Sequence, residues 1–320
     1  MLTRTLENTA PLLFSPRQPR NRLEDQVGHT PLLWLRRVAE DAGISPHVTL
    51  YAKAEWFNPS GSIKDRPALN IIRAAEEQGA LRPGMTLLDA TSGNMGIAYA
   101  MLGAARGYHV RLTLPGNASP ERIAILRAYG AELIFTDPLE GSDGAIVAAR
   151  DLVAQGDPHV YYANQYDNPA NWQAHYFTTA NEIWEQTEGR ITHFVAALGT
   201  GGTFTGTSRR LKELNPRIQC ISLQPDSPFH GLEGLKHMPT AIQPGIYDPG
   251  AADVDAVVRT ETAYRMAREL ARREGLFLGI SAAAAVVGAV ETARRLDAGV
   301  VVTILPDNGF KYLSDRFWQE

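Results

Sequence analysis

Met85-Thr86-Leu87-Leu88-Asp89-Ala90-Thr91-Ser92-Gly93-Asn94-Met95-Gly96 decides how this chain of 320 residues folds. Its first five residues have the length and apolar content of a buried strand, and the turn that follows opens a helical stretch from about Asn94 to Arg106. His109 to Leu114 is strand-like again, so the segment reads as a strand–helix–strand unit with parallel strands. In sheets built this way ligands collect beyond the carboxyl ends of the strands, where Thr91 to Gly96 lies.

Outward from this unit the same rhythm repeats. Upstream, Val48 to Ala52 reads as a strand and about Pro67 to Gln78 as a helix. Downstream, Ser119-Pro120-Glu121 starts a helix: serine caps free amides, proline suits the first helical position and glutamate suits the positive end of the dipole. That helix stops at Gly130, before a strand at Glu132 to Thr136, a helix at about Asp143 to Ala154 and a strand at His159 to Ala163. The second half places a helix near Pro169 to Gln186, strands at His193 to Ala197 and Ile218 to Leu223, and a helix between them from Thr205 to Leu214. After an irregular stretch from Gln224 to about Gly250 come strand Val254 to Val258, helices Thr262 to Glu274 and Ser281 to Leu296, and strand Val300 to Leu305. The alternation predicts the α/β class: two α/β domains with mainly parallel central sheets and a cleft between them. The expected division is an N-terminal arm at 1–22, one domain at 49–166, and a second at 23–48 plus 167–320.

A formal net charge of −4 without a basic block gives no footprint for nucleic acid. The single cysteine, Cys220, excludes a disulfide within the chain and reads as a small core hydrophobe, which fits a cytoplasmic setting. No apolar run is long enough for a bilayer, and Pro11 to Phe14 is too short for the core of a signal peptide. The polar arm before Arg22 either lacks fixed structure or packs across a partner subunit.

Four loops carry the chemistry. In Asn58-Pro59-Ser60-Gly61-Ser62-Ile63-Lys64-Asp65-Arg66-Pro67, Lys64 is either a solvated charge or a nucleophilic amine held against a cleft. Thr91 to Gly96 offers backbone amides at a helix start, an anion site suited to a carboxylate; its ordinary alternative is a capped turn. Gly199-Thr200-Gly201-Gly202-Thr203 has the glycines and hydroxyls to wrap a single phosphate, and lacks both the lysine of a P-loop and dinucleotide spacing. Ser281 opens an alanine-rich helix and by itself reads as a helix cap.

In this order the loops resemble the cysteine synthase family of fold type II pyridoxal phosphate enzymes, most closely its B type. The resemblance runs from Val27-Gly28-His29-Thr30-Pro31-Leu32 to Tyr312-Leu313-Ser314 and includes Lys64 to Ala68, Arg127 to Leu133 and Gly189 to Val195. It implies a pyridoxal 5′-phosphate cofactor bound to Lys64 as a Schiff base, with Lys64 later taking the substrate α-proton. Asn94 would bond the cofactor's phenolic oxygen, Gly199, Thr200, Gly201, Gly202 and Thr203 its phosphate, and Ser281 its pyridine nitrogen. A neutral hydroxyl at that nitrogen moderates the electron sink and favours β-elimination. Thr91, Ser92, Gly93, Met95 and Gln165 would receive the substrate carboxylate. The implied reaction is β-replacement of O-acetylserine, or O-phosphoserine, by sulfide or another sulfur donor to give cysteine through an aminoacrylate.

Two departures stand out. Met95 replaces the family's usual threonine, and Ala282 to Ala285 replace the glycine expected after Ser281. Lys236, in the variable segment over the cleft mouth, is either a reader of a phosphate leaving group or a solvated surface lysine. The resemblance also implies a homodimer, with serine acetyltransferase as a candidate partner. The alternatives are a short cystathionine β-synthase, a variant using an amine nucleophile, and a non-catalytic module that binds serine acetyltransferase; a dehydratase fits the Thr91 loop less well.

Overall fold

The computed structural model of the protein describes residues 22–91 and 93–318. The expected arm, apart from Arg22, and the candidate Ser92 lie outside the described residues. In chain order the elements begin with β1 (Leu32–Trp34), α1 (Arg36–Asp41), β2 (Val48–Ala54), α2 (Asp65–Glu77), β3 (Thr86–Ala90), α3 (Asn94–Arg106) and β4 (His109–Pro115). Next come α4 (Pro120–Ala128), β5 (Glu132–Thr136), α5 (Gly141–Ala154), β6 (Val160–Tyr162), α6 (Ala170–Ala174), α7 (Ala180–Gln186) and β7 (His193–Ala197). The chain continues through α8 (Gly202–Leu214), β8 (Gln219–Pro225), β9 (Val254–Val258), α9 (Thr260–Glu269), α10 (Ile280–Ala293) and β10 (Gly299–Leu305).

The strands form two sheets. One has the order β5-β4-β3-β6 and is wholly parallel. The other has the order β1-β2-β10-β7-β8-β9 and is parallel except for β1, which runs antiparallel to β2. This corrects one expectation, that the first domain starts at 49. β2 pairs along its whole length with β10, from Val48 opposite Gly299 to Ala54 opposite Leu305, so it belongs with the later strands. Local pattern identifies a strand; the partner it chooses is a matter of long-range pairing.

Each sheet is buried by helices whose composition fits the gap they fill. α3 lies against the smaller sheet with Ile97, Ala98, Tyr99 and Leu102 buried in one core with Leu87 and Leu112. A methyl group at Gly103 would come within 2.5 Å of Val110 Cγ2, so the helix approaches its strand only with glycine there. α10 is buried continuously from Ile280 to Val290, which explains its alanine run: a helix enclosed on every side needs small apolar residues throughout. Cys220 is fully buried in β8, and burial pushes its thiol up to about 11, in keeping with a core role.

The stretch expected as one helix at Pro169 to Gln186 is α6 and α7 joined by a π turn at His175–Thr179, where Ala180 N–H donates to His175 O. Helix Thr262 to Glu274 likewise ends in a π turn at Leu270–Glu274. No helix among the described residues is long and apolar enough to cross a membrane.

Candidate active site

A cleft of about 590 Å³ opens beyond the carboxyl ends of strands from both sheets. Lys64, Thr91, Asn94, Met95, Gln165, Gly199, Thr200, Gly201, Thr203, Lys236 and Ser281 all line it. Gly93 and Gly202 lie in the same loops without being part of its wall. Residues as far apart as 64 and 281 are therefore gathered at one place.

Lys64 is half-buried at the N-cap position of α2 and its ammonium has no hydrogen bond or ion pair to a described residue. Burial pushes its pKa below the ordinary lysine range, and the charge of Asp307 offsets part of that shift. Its neighbours point elsewhere. Asp65 accepts hydrogen bonds from the Ser60 amide at 2.7 Å and the Ser60 hydroxyl, clamping the loop that leads to the lysine. Arg66 forms a buried network with Glu55 and Glu182, each at 2.7 Å. Asp65 and Arg66 are buried and hold the frame of the cleft, and the half-buried Lys64 faces into it.

The Gly199 to Thr203 loop lines the cleft at the start of α8. Gly201 has φ +84°, and a methyl group at Gly202 would meet Asn171 Oδ1 at 2.1 Å. Thr200 Oγ1 accepts from Gly202 N–H at 3.3 Å and from Asn171 Nδ2 at 3.2 Å. Thr203 Oγ1 lies 3.3 Å from His175 Nε2, whose ring is tied to Thr179 at 2.9 Å. The π turn is what carries His175 to this position. The amides of Thr200, Gly201 and Thr203 make no hydrogen bond to a described residue, and the N-terminal dipole of α8 lies behind them. Unpaired amides, two hydroxyls and no carboxylate in the loop suit a phosphate group.

Ser281 is the second residue of α10; Gly279 occupies the N-cap, so the capping alternative is overturned and the hydroxyl faces the cleft without a described partner. Asn94 begins α3, with its side chain between Asp307 and Lys311. An unpaired amine of depressed pKa, a loop of free amides and a neutral hydroxyl on one cleft are a donor set that suits a phosphorylated aldehyde.

Thr91 corrects a detail of the carboxylate loop. Its Oγ1 accepts from the amides of Gly93 at 2.9 Å and Gly96 at 3.0 Å, so the Gly93 amide is already used. The amides of Asn94 and Met95 have no described partner, while the Met95 side chain is buried at 2% exposure. Gln165 is buried below them, its Nε2 donating to Ala90 O at 2.6 Å and its amide to Asp89 Oδ2 at 3.2 Å. Burial lifts the Asp89 carboxyl to about 7.

Lys236 is no surface lysine. It is 6% exposed, donates to Asp143 Oδ1 of α5, and lies 5.3 Å from the centre of the Tyr166 ring. Asp143 Oδ2 accepts from the Ile242 amide at 2.8 Å. A second ion pair crosses the mouth in the reverse sense, Arg122 of α4 with Glu233. Arg122, Asp143, His175, Asn171, Asp307 and Lys311 were not singled out by sequence reading. Asp307 alone had a usable signal, since it follows β10 at the carboxyl end where ligands collect.

The chain is similar to known proteins over nearly its whole length. Residues 23–307 match the family described as pyridoxal-phosphate dependent enzyme. A cysteine synthase of Aquifex aeolicus is 50% identical over 95% of this chain and 94% of its own. Cysteine synthase B of Salmonella typhimurium is 43% identical over 94% and 97%, respectively. The crystal structure of a cysteine synthase from Entamoeba histolytica superposes with a TM-score of 0.89 at 33% identity, covering 99% of this chain and 95% of that one. An O-ureido-L-serine synthase superposes with a TM-score of 0.86 at 38% identity over 93% and 95%. Matches of this extent, on a chain whose cleft brings an unpaired amine and a glycine loop with free amides together, place it in the family of pyridoxal-phosphate dependent enzymes.

Proposed function

We propose that the protein is a cysteine synthase that exchanges the acetate of O-acetylserine for sulfide. The observation that carries this is the unpaired Lys64 amine of depressed pKa on the same cleft as the free amides of Thr200, Gly201 and Thr203. Relatives named cysteine synthase, 43% and 50% identical over most of the chain, support the same reaction.

Pyridoxal phosphate, when bound, supplies the electron sink that lets bonds around the substrate α-carbon break. Lys64 would hold its aldehyde carbon, the Gly199 to Thr203 loop its phosphate, Asn94 its phenolic oxygen and Ser281 its ring nitrogen. The Asn94 and Met95 amides, the Thr91 hydroxyl and the Gln165 side chain would bind the substrate carboxylate and fix the α-carbon beside Lys64. Once free, the Lys64 amine is a base whose depressed pKa favours the unprotonated form that accepts the α-proton. Lys236 would border the leaving group, but its charge is held by Asp143, which favours a neutral acetyl ester over a phosphate ester.

A homodimer in the cytoplasm is part of the proposal, with exposed Trp34, Phe57 and Phe177 as apolar surface for the contact. Occupation of the same cleft by the C-terminal tail of serine acetyltransferase is a further proposed use. The test is turnover of O-acetylserine and sulfide together with the visible spectrum of the purified protein. A yellow protein that releases acetate and forms cysteine supports the reading. A yellow protein that leaves O-acetylserine unchanged would overturn the substrate, and one that stays colourless with added pyridoxal phosphate would overturn the cofactor site.

A further inference from the structure

We infer that Lys311 and Asp307, which lie behind the cleft wall, are positioning residues that hold the Asn94 amide in one orientation, so that it offers the cofactor a donor and never an acceptor. The inference rests on the reading of Asn94 as a cofactor ligand.

Lys311 is 5% exposed, and its ammonium donates to Asn94 Oδ1 at 2.8 Å, Ser60 O at 3.0 Å and Gly61 O at 3.4 Å. Its three hydrogens thus meet three acceptors. Asp307 is fully buried, and its Oδ2 accepts from Asn94 Nδ2 at 2.7 Å and from the Tyr312 hydroxyl at 2.6 Å. An ammonium has donors only and an ionised carboxylate acceptors only. The reversed amide would set its NH₂ against the ammonium and its oxygen against the carboxylate, two repulsive contacts away from water. One hydrogen of Nδ2 is left over at a residue that lines the cleft. The Tyr312 hydroxyl, 3.5 Å from Nδ2, is at the outer limit for claiming it.

Both partners are themselves fixed. Pro306 O accepts from the Ile63 amide at 2.8 Å, and Ser62 and Asp307 form a β-bridge, which ties Asp307 to the loop of Lys64. A methyl group at Gly279 would stand 2.1 Å from Asp307 Oδ1, so the carboxylate occupies space that only glycine leaves open there. Lys311 in turn holds the carbonyls of Ser60 and Gly61 from the same loop. The two residues could therefore act on the loop alone, and the test has to separate that role from action through Asn94.

The separating measurement is a double-mutant cycle on cofactor affinity, read by titrating apoenzyme with pyridoxal phosphate and following protein fluorescence. Asn94→Ala is expected to weaken binding roughly tenfold, and Lys311→Met by a similar factor in the parent protein. In the Asn94→Ala background Lys311→Met should then cost less than about twofold. Lys311→Arg, which keeps the donors, should recover part of the loss. Equal losses from Lys311→Met in both backgrounds would overturn the inference in favour of a loop role, while leaving Asn94 as a ligand. No loss from Asn94→Ala itself would remove the reading on which the inference rests. If Lys311→Met does not fold, Asp307→Asn completes the same cycle: non-additivity with Asn94→Ala supports the inference and full additivity overturns it.

Discussion

A lysine amine attacks a carbonyl only after losing its proton, and Lys64 is placed where that loss is favoured. Desolvation at the cleft lowers its pKa, and Asp307 supplies too little opposing charge to restore it. Lys64→Ala is expected to abolish covalent attachment of the cofactor and lower the replacement rate by about 10³-fold or more. Borohydride reduction followed by peptide mapping checks the first point, and a labelled peptide from another lysine would refute the assignment. Lys236 gives a different prediction at the same scale, because its charge is spent on Asp143. Asp143→Asn would release the ammonium toward the cleft. The ratio of kcat/KM for O-phosphoserine over O-acetylserine should then rise by roughly fivefold or more, since a lysine can meet phosphate as a point charge. An unchanged ratio would remove Lys236 from the leaving-group side of the site.

At the scale of elements, the loops work because of what stands directly behind them. Gly202 is packed onto Asn171, which bonds both Gln165 O at 2.7 Å and Thr200 Oγ1 at 3.2 Å, so one buried amide joins the carboxylate side to the phosphate loop. Gly202→Ala should displace Asn171 and weaken pyridoxal phosphate binding on the order of tenfold or more. Apoenzyme titration measures this, and unaltered affinity would mean that the loop tolerates the shift. The helix behind Ser281 makes a second case. Ala284→Leu would force a larger side chain into the enclosed α10, with an expected loss of about 1–3 kcal/mol in a urea unfolding series. Much of this scale was legible in the sequence. The strand–loop–helix units at Met85 to Arg106 and His193 to Leu214 have periodicity and turn chemistry that agree, and both form close to the expected limits. The π turn at His175–Thr179 was not legible, because its extra residue is stabilised by contacts of His175 with Thr179 and Thr203 that no local pattern encodes. Lys311 was missed for the same reason, and Asp307, although its place after β10 gave a signal, had no local pattern linking it to Asn94. Their significance lies in meeting Asn94, more than two hundred residues earlier in the chain.

For the whole molecule, the question is what holds the start of α2, and with it Lys64, against the larger sheet. A buried ion network does so: Arg66 of α2 bonds Glu55 beyond β2 and Glu182 of α7, while Lys53 of β2 also bonds Glu182 at 2.7 Å. Removing one partner from such a network leaves the others buried and uncompensated. Burial by itself would raise the Glu182 carboxyl, yet Arg66 and Lys53 outweigh it and hold it at about 2, against an ordinary value of 4.5. A carboxyl depressed in the folded state adds stability that is complete above its unfolded pKa and fades as pH falls toward the folded one. Between pH 4.5 and about 2 the unfolded chain takes up a proton that the folded chain refuses, so this contribution drains away across that window. Urea midpoints of the parent protein should fall steadily there. Glu182→Gln should be less stable than the parent at pH 7, and the gap should narrow as pH approaches 2, because the parent is then losing the charge the variant never had. If the gap stays constant between pH 7 and 2, the Glu182 charge contributes nothing to stability, and the hold on α2 rests on packing and on the Glu55 pair alone.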